Sequence, residues 1–220
     1  MIPNQLLEDF RMRKIAMLAM GLLAAACGRG GDEEARFHDD GRAKPVVAVA
    51  AMIDTTSFEC PWSLSEELTS RVVKELATPG TIFVKAKNDF SYTDNPFTGD
   101  LSWIKGQFAP SQEFAVFLEL VKHEEVAEKQ NVSSQETAHN LNMAVRLRVV
   151  DLRSPTPKVV LQEIVRESYY IPKSLFPTDY NQVVWGSDEF RSSPMGIAHS
   201  RLADAVASRL NDYILLAKSR

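Results

Sequence analysis

Apolar positions along the 220-residue chain fall into continuous runs, alternating runs and four-residue stripes, and each kind predicts a different element. Pro45 to Ile53 (PVVAVAAMI) is a continuous run, the mark of a strand buried on both faces. Asp54-Thr55-Thr56-Ser57 is a polar loop. Ser63-Leu64-Ser65-Glu66 then reads as a capping box with Ser63 as N-cap. Leu64, Leu68, Val72 and Leu76 recur every fourth residue, giving a helix with one apolar stripe that Thr78-Pro79-Gly80 stops. Thr81 to Ala86 is a shorter second strand, so the opening is strand–helix–strand. Residues 88–99 read as a loop and Leu101 to Phe108 as a short helix. Glu113 to Val121 alternates, with Phe114, Val116, Leu118 and Leu120 on one face, before a charged tail from His123 to Lys129. Leu141 to Asp151 alternates most clearly: Met143, Val145, Leu147 and Val149 point inward, and Asn142, Arg146 and Arg148 face water. Ser154-Pro155-Thr156-Pro157 turns it into Val159 to Ser168, a long hairpin. Ile197 to Lys218 closes the chain as an amphipathic helix striped by Leu202, Val206, Leu210 and either Tyr213 or Ile214. The expected fold is one α/β (α+β) domain over residues 45–220, with a mixed sheet.

The amino terminus carries a different pattern. Arg11, Arg13 and Lys14 precede a short apolar run, Ile15 to Ala26, and then Cys27. That run is too short for a bilayer, which needs roughly 20 apolar residues, but it suits a signal peptide with a basic start. The small residues Ala24, Ala25 and Ala26 followed by a cysteine match a bacterial lipobox, with alanine where leucine is commonest. Residues 1–26 are thus expected to be removed between Ala26 and Cys27, and the Cys27 thiol to carry lipid, palmitate among its chains. Glu8 and Asp9 are foreign to a basic start, which makes Met12 the expected initiator.

Cleavage would leave 194 residues, ample for one core, and removes one net positive charge, taking −4 to −5. A mildly acidic surface argues against nucleic acid and against electrostatic binding to anionic lipid. The acyl chains would supply the membrane affinity, about 0.8 kcal/mol per buried methylene. Residues 28–44 are rich in glycine and charge and read as a tether, about 20–25 Å between its ends. With Cys27 acylated, Cys60 is the one remaining thiol, so neither an intrachain disulfide nor a zinc-cysteine site can form.

The search for catalytic chemistry ends without a motif. His123-Glu124 begins like a zinc-protease H-E-x-x-H, but Ala127 stands where the second histidine belongs. His38, His139 and His199 fall in tether, loop and helix start, and no spacing pairs them. Gly186-Ser187-Asp188 lacks the second glycine of a nucleophile elbow. No phosphate-cradling loop, dinucleotide fingerprint or other cofactor signature is present. Cys60, beside the start of the first helix, has two readings: a thiol with a depressed pKa, or a small core-filling residue. Tyr169, Tyr170, Phe176, Tyr180, Trp185 and Phe190 crowd a proline-punctuated segment. They read either as a partner-binding surface, since aromatics anchor interfaces, or as a loop pinned over the sheet by its own side chains.

Three of these pieces resemble a bacterial envelope superfamily. They are the run VVAVAAMIDTT leading to SLSEELTSRVVKEL, the hairpin NMAVRLRVVDLRSPTPKVV, and the closing ADAVASRLNDYI. The superfamily includes the curli-secretion lipoprotein, the amino-terminal domain of the Tol-system propeller protein and the lipoprotein activator of penicillin-binding proteins. Residues 87–112, without a clear second helix, and the segment from Tyr169 to Pro194 depart from its pattern. The resemblance implies a protein that binds or assembles, with another envelope protein or peptidoglycan as partner and no enzymatic activity. A subunit of an oligomeric outer-membrane secretion channel is the second reading, although no spare membrane-crossing hairpin is visible. An uncharacterised envelope enzyme is the third. Gly28 after Cys27, rather than Asp, points to the outer membrane, facing the periplasm, over the inner one.

Overall fold

The computed structural model describes residues 35–87, 92, 94–127, 138–172 and 183–220. The chain divides into two units, Met1–Ala43 and Lys44–Arg220. In the first, the described residues hold one antiparallel bridge, Phe37 to Ala43. The second is a mixed sheet with its helices packed on one face, an α+β domain that closes on a long helix.

Its strands are β1 (Val46–Ala50), β2 (Ile53–Asp54), β3 (Phe83–Lys87), β4 (Phe114–Ala127), β5 (His139–Asp151) and β6 (Lys158–Ile171). Its helices are α1 (Leu64–Ala77), α2 (Asp188–Ser192) and α3 (Pro194–Lys218), with a 3-10 turn at Ser102–Gln107. The sheet order is β3-β1-β4-β5-β6, and β2 pairs with β4 beyond the end of β1. β1 runs parallel to β3 and β4, while β4, β5 and β6 form antiparallel neighbours.

All five residues of β1 are buried, as a run apolar on both faces requires. Val47 and Val49 face the helical layer and pack with Leu64, Leu68, Val72 and Leu76 of α1 and the stripe of α3. Ala48 and Ala50 face the other side, where Phe97, Leu101, Ile104 and Phe108 cover them. Alanine on that face lets the covering segment approach closely. The expected single run to Ile53 is broken at Ala51-Met52, and α1 repairs the break. Thr69 Oγ1 accepts from the Met52 amide at 2.8 Å, and the Ser65 hydroxyl donates to the Met52 carbonyl. Ser63 caps α1 by accepting from the Glu66 amide at 3.2 Å.

Three elements differ from the sequence reading. β4 does not end at Val121 but continues to Ala127, because β5 offers it antiparallel partners over that length. β5 starts at His139, so that histidine lies in a strand rather than a loop. Arg148 does not face water: it is 6% exposed, under the segment that covers the second face. Its guanidinium donates to the carbonyls of Pro96 at 2.8 Å, Thr98 at 2.5 Å and Phe97 at 2.9 Å, and to Gln162 Oε1 at 2.8 Å. These carbonyls belong to no ladder, and the arginine satisfies them together, fixing the loop on the sheet. Arg146 is half-buried and pairs with Glu119 at 2.7 Å.

Arg148→Met keeps the apolar stem and leaves those carbonyls without their donor. We expect a loss of about 2–4 kcal/mol in urea unfolding, with proteolytic cleavage appearing first within residues 94–108. Unchanged protease resistance there would remove Arg148 as the clamp.

Candidate functional site

The most unusual chemistry lies in the helical layer, where α1, β4 and α3 meet. Glu67 sits one residue before the stripe residue Leu68, so it points along the margin of the buried face of α1 and is fully buried. His199 occupies the α3 stripe between Met195 and Leu202 and is also fully buried. His123 joins them because β4 carries a bulge between Leu120 and Lys122. Strict alternation from Phe114 through Leu120 would put Lys122 inside and His123 outside. The extra residue, Val121, reverses the parity, so that His123 pairs with the inward Met143.

The three side chains form one hydrogen-bonded line. Glu67 Oε1 accepts from His199 Nδ1 at 2.8 Å, so that nitrogen carries a proton. His199 Nε2 and His123 Nε2 lie 2.9 Å apart and share one proton in a second hydrogen bond. His123 Nδ1 is buried and has no hydrogen-bond partner among the described residues. Glu67 also accepts from Trp62 Nε1 at 2.8 Å and from Arg71 Nε at 2.9 Å, and Arg71 donates onward to Ser200 Oγ at 2.8 Å. Phe58 lies 4.2 Å from the His123 ring and Phe190 lies 6.1 Å from the His199 ring, centroid to centroid.

Burial alone would raise the Glu67 carboxyl, but the hydrogen bond and charge of His199, the Trp62 donor and the Arg71 charge outweigh it and hold the group below its ordinary 4.5. Burial, and next the neighbouring His199, push His123 down from 6.5 to about 3. The line therefore joins a carboxylate held in its charged form at one end to a His123 imidazole held neutral at the other. A carboxylate that orients an imidazole can serve proton transfer where the line opens onto a substrate. Here the terminal nitrogen lies in the packed layer, and the arrangement acts as a polar tie between three elements. Among the described residues, no group of three or more His, Cys, Asp or Glu is placed to hold a metal.

Sequence reasoning did not find this cluster, since its partners are 76 and 132 residues apart. Two signals were available: a histidine inside an apolar helical stripe, and adjacent apolar residues, Leu120-Val121, where alternation fails.

The other named residues fall as follows. Ala26, Cys27, Phe176 and Tyr180 lie outside the described residues. Phe190 is fully buried in the core against Trp62 and is corrected as a partner-binding residue. Trp185 packs against the same core and lines a hollow of about 320 Å³ with Glu66, Thr69 and Ser70. Tyr169 is half-buried beneath the Arg201 guanidinium, 5.0 Å from its ring centre. Tyr170, 51% exposed on β6, remains a surface aromatic. Cys60 is half-buried, and burial, with the Glu67 charge adding to it, pushes its thiol up. The reading of Cys60 as a thiol with a depressed pKa is therefore corrected; a hydrogen bond at Trp62 offsets only part of that rise.

A family model described as a family of unknown function, DUF7499, matches residues 33–218. No curated protein matches the chain. Among solved structures, the chain is similar to the hypothetical protein CT253 from Chlamydia trachomatis, at 23% identity and a TM-score of 0.62, covering 78% of this chain and 98% of that one. The fold is thus shared with a solved bacterial protein. Weaker similarity reaches protein XCC0632 from Xanthomonas campestris (8% identity, TM-score 0.46, 79% and 88% covered). It also reaches lipoprotein GNA1162 from Neisseria meningitidis (10% identity, TM-score 0.38, 74% and 99% covered).

The depressed His123 gives the fold a pH dependence of definite sign. The unfolded chain binds a proton at this residue below 6.5 and the folded chain does not until about 3. Stability is therefore complete above 6.5 and falls as pH drops, by up to about 1.4 kcal/mol per unit. Glu67 adds a loss of the same sign only below its unfolded 4.5. In His123→Gln, the slope of unfolding free energy between pH 6.5 and 4.5 should flatten; an unchanged slope would show that His123 titrates normally.

Proposed function

The chain belongs to DUF7499, a family of unknown function, and from its own residues we propose that it is a lipid-anchored bacterial envelope protein that binds rather than catalyses. The observation that carries the reading is the order at the amino terminus: basic residues, a short apolar run, Ala24-Ala25-Ala26, then Cys27. The family match begins only at residue 33, immediately past that signal and inside the tether. Among the described residues no helix is long and apolar enough to cross a membrane, so attachment in this reading falls to the acyl chains on Cys27.

The domain itself favours binding. Its buried titratable pair, His123 and Glu67, is engaged in holding the helical layer together. The partner in this reading is another envelope protein or peptidoglycan, met within the reach of the tether. Gly28 directs the anchored protein to the outer membrane, with its domain in the periplasm.

Cys27→Ala tests the reading in a bacterial host. The native protein should label with palmitate and sediment with membranes, and the variant should lose both properties while keeping its thermal unfolding transition. A variant that still labels and still sediments would remove the lipid anchor.

A further inference from the structure

The two ends of the sheet carry opposite charge. β1, entered from Lys44-Pro45, starts at the end where β4 and β6 also start and where β5 stops. Hydrogen bonds tie this end together and bring the last turn of α3 to it. The Glu113 amide donates to the Val46 carbonyl, the Leu152 amide to the Glu113 carbonyl, and the Arg153 guanidinium to the Ala217 carbonyl, each at 2.8 Å. Glu113 is answered by Lys218 at 2.7 Å, and Asp151 by Arg153 at 2.7 Å. Lys158 and Arg220, both exposed, have no ion-pair partner among the described residues. They line one hollow of about 510 Å³ with Arg153 and the exposed aliphatic side chains Val159 and Leu216. The far end holds Asp54 in β2, Glu66 in the first turn of α1, Glu124 late in β4, and Asp188 and Glu189 before α3. Lys122 and Arg191 there pair with Glu124 and Asp188. The chain is acidic on average, but along the strands its charge is segregated, and the cationic end is the one the tether joins.

We propose that this cationic end is the membrane face of the domain, with Lys158, Arg153 and Arg220 on the phosphates of anionic phospholipid and the strands upright on the bilayer. This face rests on the lipid anchor proposed above, which brings the bilayer within reach. Reach and charge then select the same occupant. The tether spans about 20–25 Å, whereas a fourteen-residue strand such as β6 is about 45 Å long. An anchored domain therefore meets its own membrane with the end to which the tether is joined, and its far end lies a strand length away. Anionic headgroups attract cations held within a Debye length, about 10 Å at 0.1 M salt, and repel the carboxylates of the far end. Exposed Val159 and Leu216 among cations suit the interface, where aliphatic groups enter between headgroups while charged tips stay at the phosphates. An acidic protein would satisfy the same cations, but the bilayer is the anionic surface that the tether keeps beside them.

Depth-dependent quenching reads the orientation directly. The full chain, lipidated at Cys27 and carrying Cys60→Ser, receives a single labelling site: Ser219→Cys at the cationic end or Ser57→Cys at the far end. Each labelled protein is reconstituted into vesicles of phosphatidylcholine alone or mixed with phosphatidylglycerol, with a nitroxide on the lipid headgroups as quencher. With phosphatidylglycerol present, the fluorophore at position 219 should be quenched at least twice as strongly as the one at 57. Lys158→Glu with Arg220→Glu should remove that difference while the protein still floats with the vesicles. Equal quenching at both positions, stronger quenching at position 57, or a difference indifferent to phosphatidylglycerol and to charge reversal would each overturn the membrane face. Flotation separates this failure from that of the anchor. A full chain that floats no better than Cys27→Ala on phosphatidylcholine removes the anchor, and the membrane face falls with it. A chain that floats but shows no difference in quenching keeps the anchor and loses the membrane face alone.

Discussion

The buried carboxylate of Glu67 decides how the helical layer sits on the sheet, because it can stay charged out of water only while donors from several elements reach it. Trp62 comes from the turn before α1, Arg71 from the next turn of α1, and His199 from α3, which passes the line on to His123 in β4. An apolar interface tolerates sliding by a fraction of a turn; a shared carboxylate does not. Removing one partner of such a buried arrangement costs about 3–5 kcal/mol, since the remaining charge is left uncompensated. The geometry thus fixes the crossing of α1 and α3 more tightly than their leucine and valine stripes could alone.

The opposite face uses a cation for the same purpose. Arg148 gathers the carbonyls of Pro96, Phe97 and Thr98, holding an irregular segment over β1 and β4 without any ladder of its own. Each face of the sheet therefore has an apolar cluster and a buried charged group that orients the elements lying over it.

Much of the fold was legible because its periodicities are strong. The continuous run of β1, the four-residue stripe of α1 with its Ser63 cap, the β5–β6 hairpin and the closing helix all follow from pattern alone. What pattern could not show was where it breaks. One inserted residue, Val121, exchanges the faces of β4, and a charged strand end becomes a buried histidine. Glu67 and Arg71 flank the α1 stripe, and only the placement of α3 beside them brings Glu67 to His199 and Arg71 to Ser200. Arg148 alternates as an outward residue correctly, but the outward face is covered, which only a non-local segment decides. The aromatics from the end of β6 onward divided for the same reason: Phe190 is core, Tyr170 is surface, and nothing in their spacing separates them.

The proposed anchor stands apart from this architecture, since it would rest on chemistry at Cys27 rather than on packing. Intact mass spectrometry of the protein extracted from bacterial membranes tests it most directly. The account predicts a chain beginning at Cys27 and carrying diacylglycerol on that residue. A mass that retains residues 1–26, or that leaves the Cys27 thiol unmodified, would contradict it.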